Sequence, residues 1–205
     1  MACSYTPVTW VGTCGDAFYF QEVAAATDAD VDKDSFGISE RCLCCWVKSK
    51  DNKVLFLSDA WNDATKQFQV KDLTSKQLNE PDCKFKVQTY REFEKAGRDG
   101  RPTMLYVKND EGKNVVACCD LNRNIYSENM DALPKDIQET CHKALFYMTE
   151  LSPTNTYQFE SSLFPSEFLG FAPDGDNPSL NKLVLHKKAK DEVDESCCVV
   201  LRCVV

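Results

Sequence analysis

Short apolar runs broken by turn residues fill most of this chain. In Lys84-Phe85-Lys86-Val87-Gln88-Thr89-Tyr90 polar and apolar side chains alternate, the period of a strand with one wet and one dry face. Similar runs cover Leu43–Val47, Val54–Ser58, Gln67–Val70, Thr103–Val107, Asn114–Cys119, Asn124–Asn129 and Ala144–Thr149, and recur to the end of the chain. The breaks are rich in Asn, Asp, Gly and Pro, as in Lys50-Asp51-Asn52, Asp110-Glu111-Gly112 and Pro173-Asp174-Gly175. About a dozen short strands at this spacing predict an all-β sandwich or barrel. Pro134–Cys141 has the character of one helical turn at most. No internal repeat is evident that would fix a symmetry.

The most informative run is Tyr157 to Leu169. Tyr157, Phe159 and Ser161 alternate with Gln158, Glu160 and Ser162, and Pro165 must lie outside the ladder because it has no N–H to donate. Phe168, Leu169 and Phe171 restart the apolar pattern. The segment reads as strand, proline-containing turn, strand.

Composition narrows the partners. The 205 residues are 43% hydrophobic, enough for a packed core, and carry a net charge of −8. An acidic chain, pI about 4.9, is a poor fit to nucleic acid or an anionic membrane. Residues 1–34 hold six acids against the single base Lys33, and so carry −5 of the −8. Ala24–Asp34 reads as an exposed flexible linker, whereas Thr9-Trp10-Val11 and Phe18-Tyr19-Phe20 are apolar enough to form short strands. The expected organisation is an acidic segment over 1–34 and a β domain over 35–205. With its first base at Lys33, the start lacks the positive region of a secretory signal, and no run of about 18 apolar residues offers a membrane span. Synthesis in the cytosol is expected.

Twelve cysteines stand out. In a cytosolic product free thiols are the default. Cys44-Cys45, Cys118-Cys119 and Cys197-Cys198 sit in strand-like runs, where neighbours face opposite ways, and the spacings do not suit zinc, so neither a metal nor another cofactor is expected. The only histidines are His142 and His186. Neither lies in a pattern that would pair it with a nucleophile, and there is no phosphate loop or nucleophile elbow. An enzyme is not expected, and a cytosolic thiol enzyme is the weak rival. Another rival, a trefoil carbohydrate-binding module, would carry aromatic sugar platforms three times over.

Phe159, Ser161, Pro165 and Phe168, with Ser162 and Leu169 between and after them, resemble the C-terminal signature of the interleukin-1 cytokine family. Gly170 and Phe171 depart from it, standing where a small residue and Thr are usual. The resemblance extends through Ser35-Phe36-Gly37, Lys53-Val54-Leu55-Phe56, Leu145-Phe146-Tyr147 and Lys182-Leu183-Val184-Leu185. It implies a β-trefoil of about twelve strands, with the four signature residues structural. It further implies a precursor cut by a caspase-1-like protease after Asp34, before Ser35, with Asp30 and Asp32 as alternative sites. Release without a signal peptide would follow, and then action outside the cell as a monomer that bridges a primary receptor chain and a co-receptor. Local alignment implies receptor contacts at Lys48, Asn52, Leu73 and Arg91. Asp191-Glu192-Val193-Asp194 is similar to an executioner-caspase site, but its place between two strands favours a solvated turn.

Overall fold

The computed structural model describes residues 8–14, 17–22, 36–59, 66–92, 98–137, 141–152, 155–175, 180–189, 192 and 194–204. The chain divides into two compact units, Met1–Lys33 and Asp34–Val205. In the first, β1 (Val8–Cys14) and β2 (Ala17–Glu22) pair as an antiparallel hairpin with a register shift between Trp10 and Gly12. Both apolar runs of the acidic segment are therefore strands.

The second unit holds one 13-stranded sheet. Its strands are β3 (Phe36–Lys48), β4 (Val54–Asp59), β5 (Lys66–Lys71), β6 (Phe85–Glu92), β7 (Arg101–Lys108), β8 (Asn114–Cys119), β9 (Ile125–Met130), β10 (Asp136–Ile137), β11 (Phe146–Ser152), β12 (Thr156–Ser161), β13 (Glu167–Pro173), β14 (Asn181–Lys187) and β15 (Val199–Cys203). Short 3₁₀ turns occupy Gln77–Asn79, Pro81–Cys83 and Glu195–Cys197.

The strand pairing closes a ring: β3 to β6, β6 to β7, β7 to β11, β11 to β12, β12 to β15, and β15 back to β3, all antiparallel. Between successive pairs of ring strands the chain inserts the hairpins β4–β5, β8–β9 and β13–β14. That order, strand–hairpin–strand three times, is a β-trefoil. Closure leaves the ring no free edge on which another chain could template a strand.

The sequence alternates because each ring strand sends every second side chain inward. Val47, Leu55, Val70, Phe85, Val87, Leu105, Val107, Phe146, Phe159, Leu169 and Leu201 meet in the central core. A second buried cluster lies apart from it: Phe36, Tyr90, Met104, Tyr106, Val116, Ile137, Leu145 and Tyr147. Here Phe36 and Tyr147 meet edge to face at 6.5 Å. The cover is the stretch expected to hold at most a helical turn. Instead Asp136–Ile137 pairs with Gly37 and Phe36, and the Tyr90 hydroxyl donates to the Pro134 carbonyl at 3.0 Å. Ile137 completes this cluster, which local propensity does not encode.

Turn chemistry sets the hairpins. The turns Ser49–Lys53, Asn109–Lys113 and Asp120–Asn124 share one hydrogen-bond pattern, with the fourth residue left-handed: Asn52 at φ 64°, Gly112 at 78° and Arg123 at 67°. Asn and Gly tolerate that region readily, and Arg does not. Asp120 stabilises its own turn by accepting from the Asn124 backbone at 2.8 Å and side chain at 3.0 Å. The Asn124 amides hold its carboxyl below the usual carboxylate range.

Candidate functional site

The four signature residues form a framework around a turn. Phe159, Ser161 and Phe168 are buried, and Pro165 is exposed at the tip between β12 and β13. Ser161 Oγ accepts from Phe164 N at 3.3 Å, and Glu160 Oε1 accepts from Ser166 N at 2.8 Å. Ser166 is left-handed at φ 63°. The adjoining Ser162 Oγ accepts from His142 N at 2.9 Å and donates to His142 O at 2.7 Å, pinning the start of the β11 region. Arg98 donates to the Ser161 carbonyl at 3.2 Å while its guanidinium lies 5.3 Å from the Tyr147 ring centre. The signature thus fixes a turn that joins two strands.

The four expected receptor contacts fall into two groups. Lys48 ends β3, facing Val54 and Val200 across the two neighbouring strands, and Asn52 is exposed in the turn that follows. Leu73 is half-buried just past β5, whose Lys71 pairs with Val54. These three therefore gather at one end of β3. Arg91 is exposed and pairs with Gly37 at the other end. β3 is 13 residues long, so at about 3.3 Å per residue the two groups are separated by up to roughly 40 Å.

Two features near Lys48 escaped the sequence reading. Lys50 pairs with Glu195, tying the β3–β4 turn to the last 3₁₀ turn. Thr74 and Gln77 make a capping box: Thr74 N donates to Gln77 Oε1 at 3.0 Å, and Gln77 N to Thr74 Oγ1 at 3.4 Å. The spacing Thr74-Ser75-Lys76-Gln77 was a legible signal for it. The Trp46 indole donates to the Leu78 carbonyl at 2.8 Å, holding this loop against β3.

A cavity of about 590 Å³ opens where the three hairpins meet, lined by residues of β5, β9 and β14 with the approaches to the last two. Lys66, Arg123, Tyr126, Asp174, Lys182 and Leu185 border it. Lys182 lies 3.8 Å from Asp174, and Arg123 pairs with the buried Glu167 at 2.9 Å. Its walls carry Phe68 and Tyr126 on two hairpins and Leu183 and Leu185 on the third.

The thiols follow the strand alternation. None of the ten described cysteines is joined in a disulfide, and Cys42, Cys141 and Cys203 are exposed. Burial pushes Cys83, Cys119 and Cys197 up to about 11 and Cys118 up to about 12. Among the described residues no group of three His, Cys, Asp or Glu is placed to hold a metal, and no helix is long and apolar enough to cross a membrane. His142 Nδ1 accepts from Ala144 N at 3.2 Å, and the His186 ring packs over Gly170.

Asp194 is not a freely solvated turn residue. Its Oδ1 accepts from Ser196 N at 2.9 Å and Ser196 Oγ at 2.7 Å, capping the Glu195–Cys197 turn. Those bonds hold the carboxyl below the usual range. Asp34 and Ser35 lie outside the described residues, as do Asp30 and Asp32.

The closed ring with its three inserted hairpins is a β-trefoil, the fold of chicken interleukin-1 beta. Chicken interleukin-1 beta is similar to this chain at TM-score 0.55 and 18% identity, over 81% of this chain and 98% of that one. A point mutant of the same chicken protein aligns at TM-score 0.54 and 16% identity, over 82% and 99%. At that identity the likeness establishes the fold. No family model and no curated protein sequence matches the chain.

Proposed function

We propose that this chain is the precursor of a pro-inflammatory cytokine of the interleukin-1 family, of the interleukin-18 type. The observation that carries the proposal is the closed trefoil with Phe159, Ser161 and Phe168 buried around the signature turn, in a fold shared with chicken interleukin-1 beta. The placing within the family rests on the sequence. Asp34 precedes Ser35-Phe36-Gly37 much as an Asp precedes an aromatic–Gly pair at the interleukin-18 maturation site. An interleukin-1β-like cytokine is the alternative.

In this reading the precursor is cytoplasmic, is cut after Asp34 by a caspase-1-like protease and acts outside the cell. The domain then presents two surfaces, Lys48, Asn52 and Leu73 at one end of β3 and Arg91 at the other, to a primary interleukin-18-type receptor chain and a co-receptor. Interfaces of this class bury on the order of 1,600 Å² and depend on a few anchors. The pro-segment suppresses binding until it is cut.

The test is binding of the full chain, before and after caspase-1 digestion, to the receptor ectodomain. A tighter complex after a cut at Asp34 supports the proposal. Cleavage that persists in Asp34→Ala would displace the site, and equal affinity of cut and uncut chains would remove the role of the pro-segment. No binding by either form to the interleukin-18 receptor, with binding to an interleukin-1 receptor, would favour the interleukin-1β-like alternative.

A further inference from the structure

The ring closes where β3, its first strand, meets β15, its last. Across this seam Lys48 faces Val200, Val47 faces Leu201, Trp46 faces Arg202 and Cys45 faces Cys203. Two cysteines, 158 positions apart in the sequence, therefore oppose each other directly.

The hydrogen bonding shows what kind of pair this is. Val204 N donates to Cys44 O at 3.0 Å, a bond that flanks the Cys45–Cys203 position rather than joining its members. The pair is thus of the narrow, non-hydrogen-bonded type, in which the Cα atoms lie about 4.5 Å apart and the side chains rise close together on one face. A disulfide needs a Cα separation of about 4.4–6.8 Å. The face is the inner one. Cys45 and Val47 on β3, and Val199 and Leu201 on β15, belong to the central core, and Cys203 continues that alternation to the rim, where it is exposed. Cys44 faces the other way, as does Cys42, whose sulfur lies 3.5 Å from the Tyr106 hydroxyl.

We infer that Cys45 and Cys203 are a redox-modification site, closing to a cross-strand disulfide that locks the barrel seam when the protein meets an oxidising medium. The oxidant is a small disulfide such as oxidised glutathione. The exposed Cys203 thiolate attacks one of its sulfurs, forming a mixed disulfide and releasing one glutathione thiolate. Cys45 then loses its proton and attacks the Cys203 sulfur, expelling the second. Two protein thiols are oxidised and one glutathione disulfide is reduced to two thiols. Burial holds the Cys45 thiol far above the ordinary thiol range, with Cys203 as the next cause, so the second step is slow at neutral pH. Its rate rises about tenfold per pH unit with the thiolate fraction. The pair stays reduced in a glutathione-buffered cytosol and closes slowly outside it. The inference needs only the seam geometry and is independent of the receptor reading.

The experiment equilibrates the full chain with oxidised glutathione, alkylates the remaining thiols and digests with trypsin. The expected product is two hydrogens lighter, with Cys42–Lys48 joined to Cys203–Val205. The link persists in Cys42→Ser and in Cys44→Ser and is lost in Cys203→Ser, a change at an exposed strand end. Closure raises the thermal midpoint by about 5–10 °C, reversibly with dithiothreitol, in the parent and not in Cys203→Ser. Full alkylation of both thiols, a link to Cys203 that depends on Cys42 or Cys44, or a mixed disulfide at Cys203 that never resolves would each overturn the inference.

Discussion

Gly170 sits in β13, opposite Val184, where the last 3₁₀ turn crosses over the strand on its way to the seam. An added Cβ would lie 2.5 Å from His186 Cδ2 and 2.7 Å from the Ser196 carbonyl oxygen. The imidazole is half-buried, and the carbonyl belongs to the backbone of the capped turn. Gly170→Ala therefore forces the Glu195–Cys197 turn away from β13, and β15 follows that turn directly. Replacing a strand glycine by alanine gains about 0.5–1 kcal/mol through the unfolded chain. Overpacking at distances this short costs up to about 3 kcal/mol. The clash wins, and the net loss is about 2 kcal/mol, or about 4–8 °C in the thermal midpoint of a domain this size. Urea unfolding followed by tryptophan fluorescence and circular dichroism measures it, with the midpoint lowered and the slope unchanged. Gly175→Ala is the control, because its new Cβ meets nothing within 4 Å. It should be neutral or slightly stabilising. Adding His186→Ala removes one of the two obstructions, so the double variant should show a coupling of about 1 kcal/mol. Gly170→Ala stability within about 0.5 kcal/mol of the parent would refute the reasoning, since surface-like tolerance is incompatible with that crossing.

Asp194→Ala loses the cap of the Glu195–Cys197 turn and should cost about 1 kcal/mol near neutral pH. The folded carboxyl titrates below its unfolded value, so the contribution is present above the unfolded value and disappears as the pH falls through the folded one. The gap between parent and variant should close below about pH 4, and a gap unchanged at pH 2.5 would exclude the cap as its origin. Native protein should resist executioner caspases at Asp194 because that side chain is engaged, and a rapid cut there without unfolding would contradict this. Brief iodoacetamide treatment at pH 8 should modify Cys42, Cys141 and Cys203 well ahead of Cys83, Cys118, Cys119 and Cys197, whose burial keeps them as thiols. Equal labelling would mean that the barrel opens on that timescale. Lys48→Glu and Arg91→Glu should weaken binding to different receptor chains, given their separation along β3, and loss of the same contact by both would collapse the two surfaces into one.

The alternation of Lys84–Tyr90, the turn residues at Asn52 and Gly112, and the signature from Phe159 to Phe168 were legible because each depends on neighbours in the chain. Local sterics and hydrogen bonding decide whether a residue can enter a strand or leave it, and the acidic character of residues 1–34 is likewise a property of composition alone. The candidate contacts could be named from the resemblance, but not divided. That Lys48 and Arg91 stand at opposite ends of one strand emerges only when β3 is laid along β6 and β15. Asp136–Ile137 becomes a strand because Ile137 pairs with Phe36, which is distant in sequence. Asp194 becomes a cap because the chain must turn there to bring β15 back to β3. The same seam places Cys45 opposite Cys203, and the same crossing makes Gly170 necessary. Short-range chemistry therefore specified which segments extend and where they bend. The closing of the ring, which depends on contacts between residues far apart in the chain, determined what those segments face.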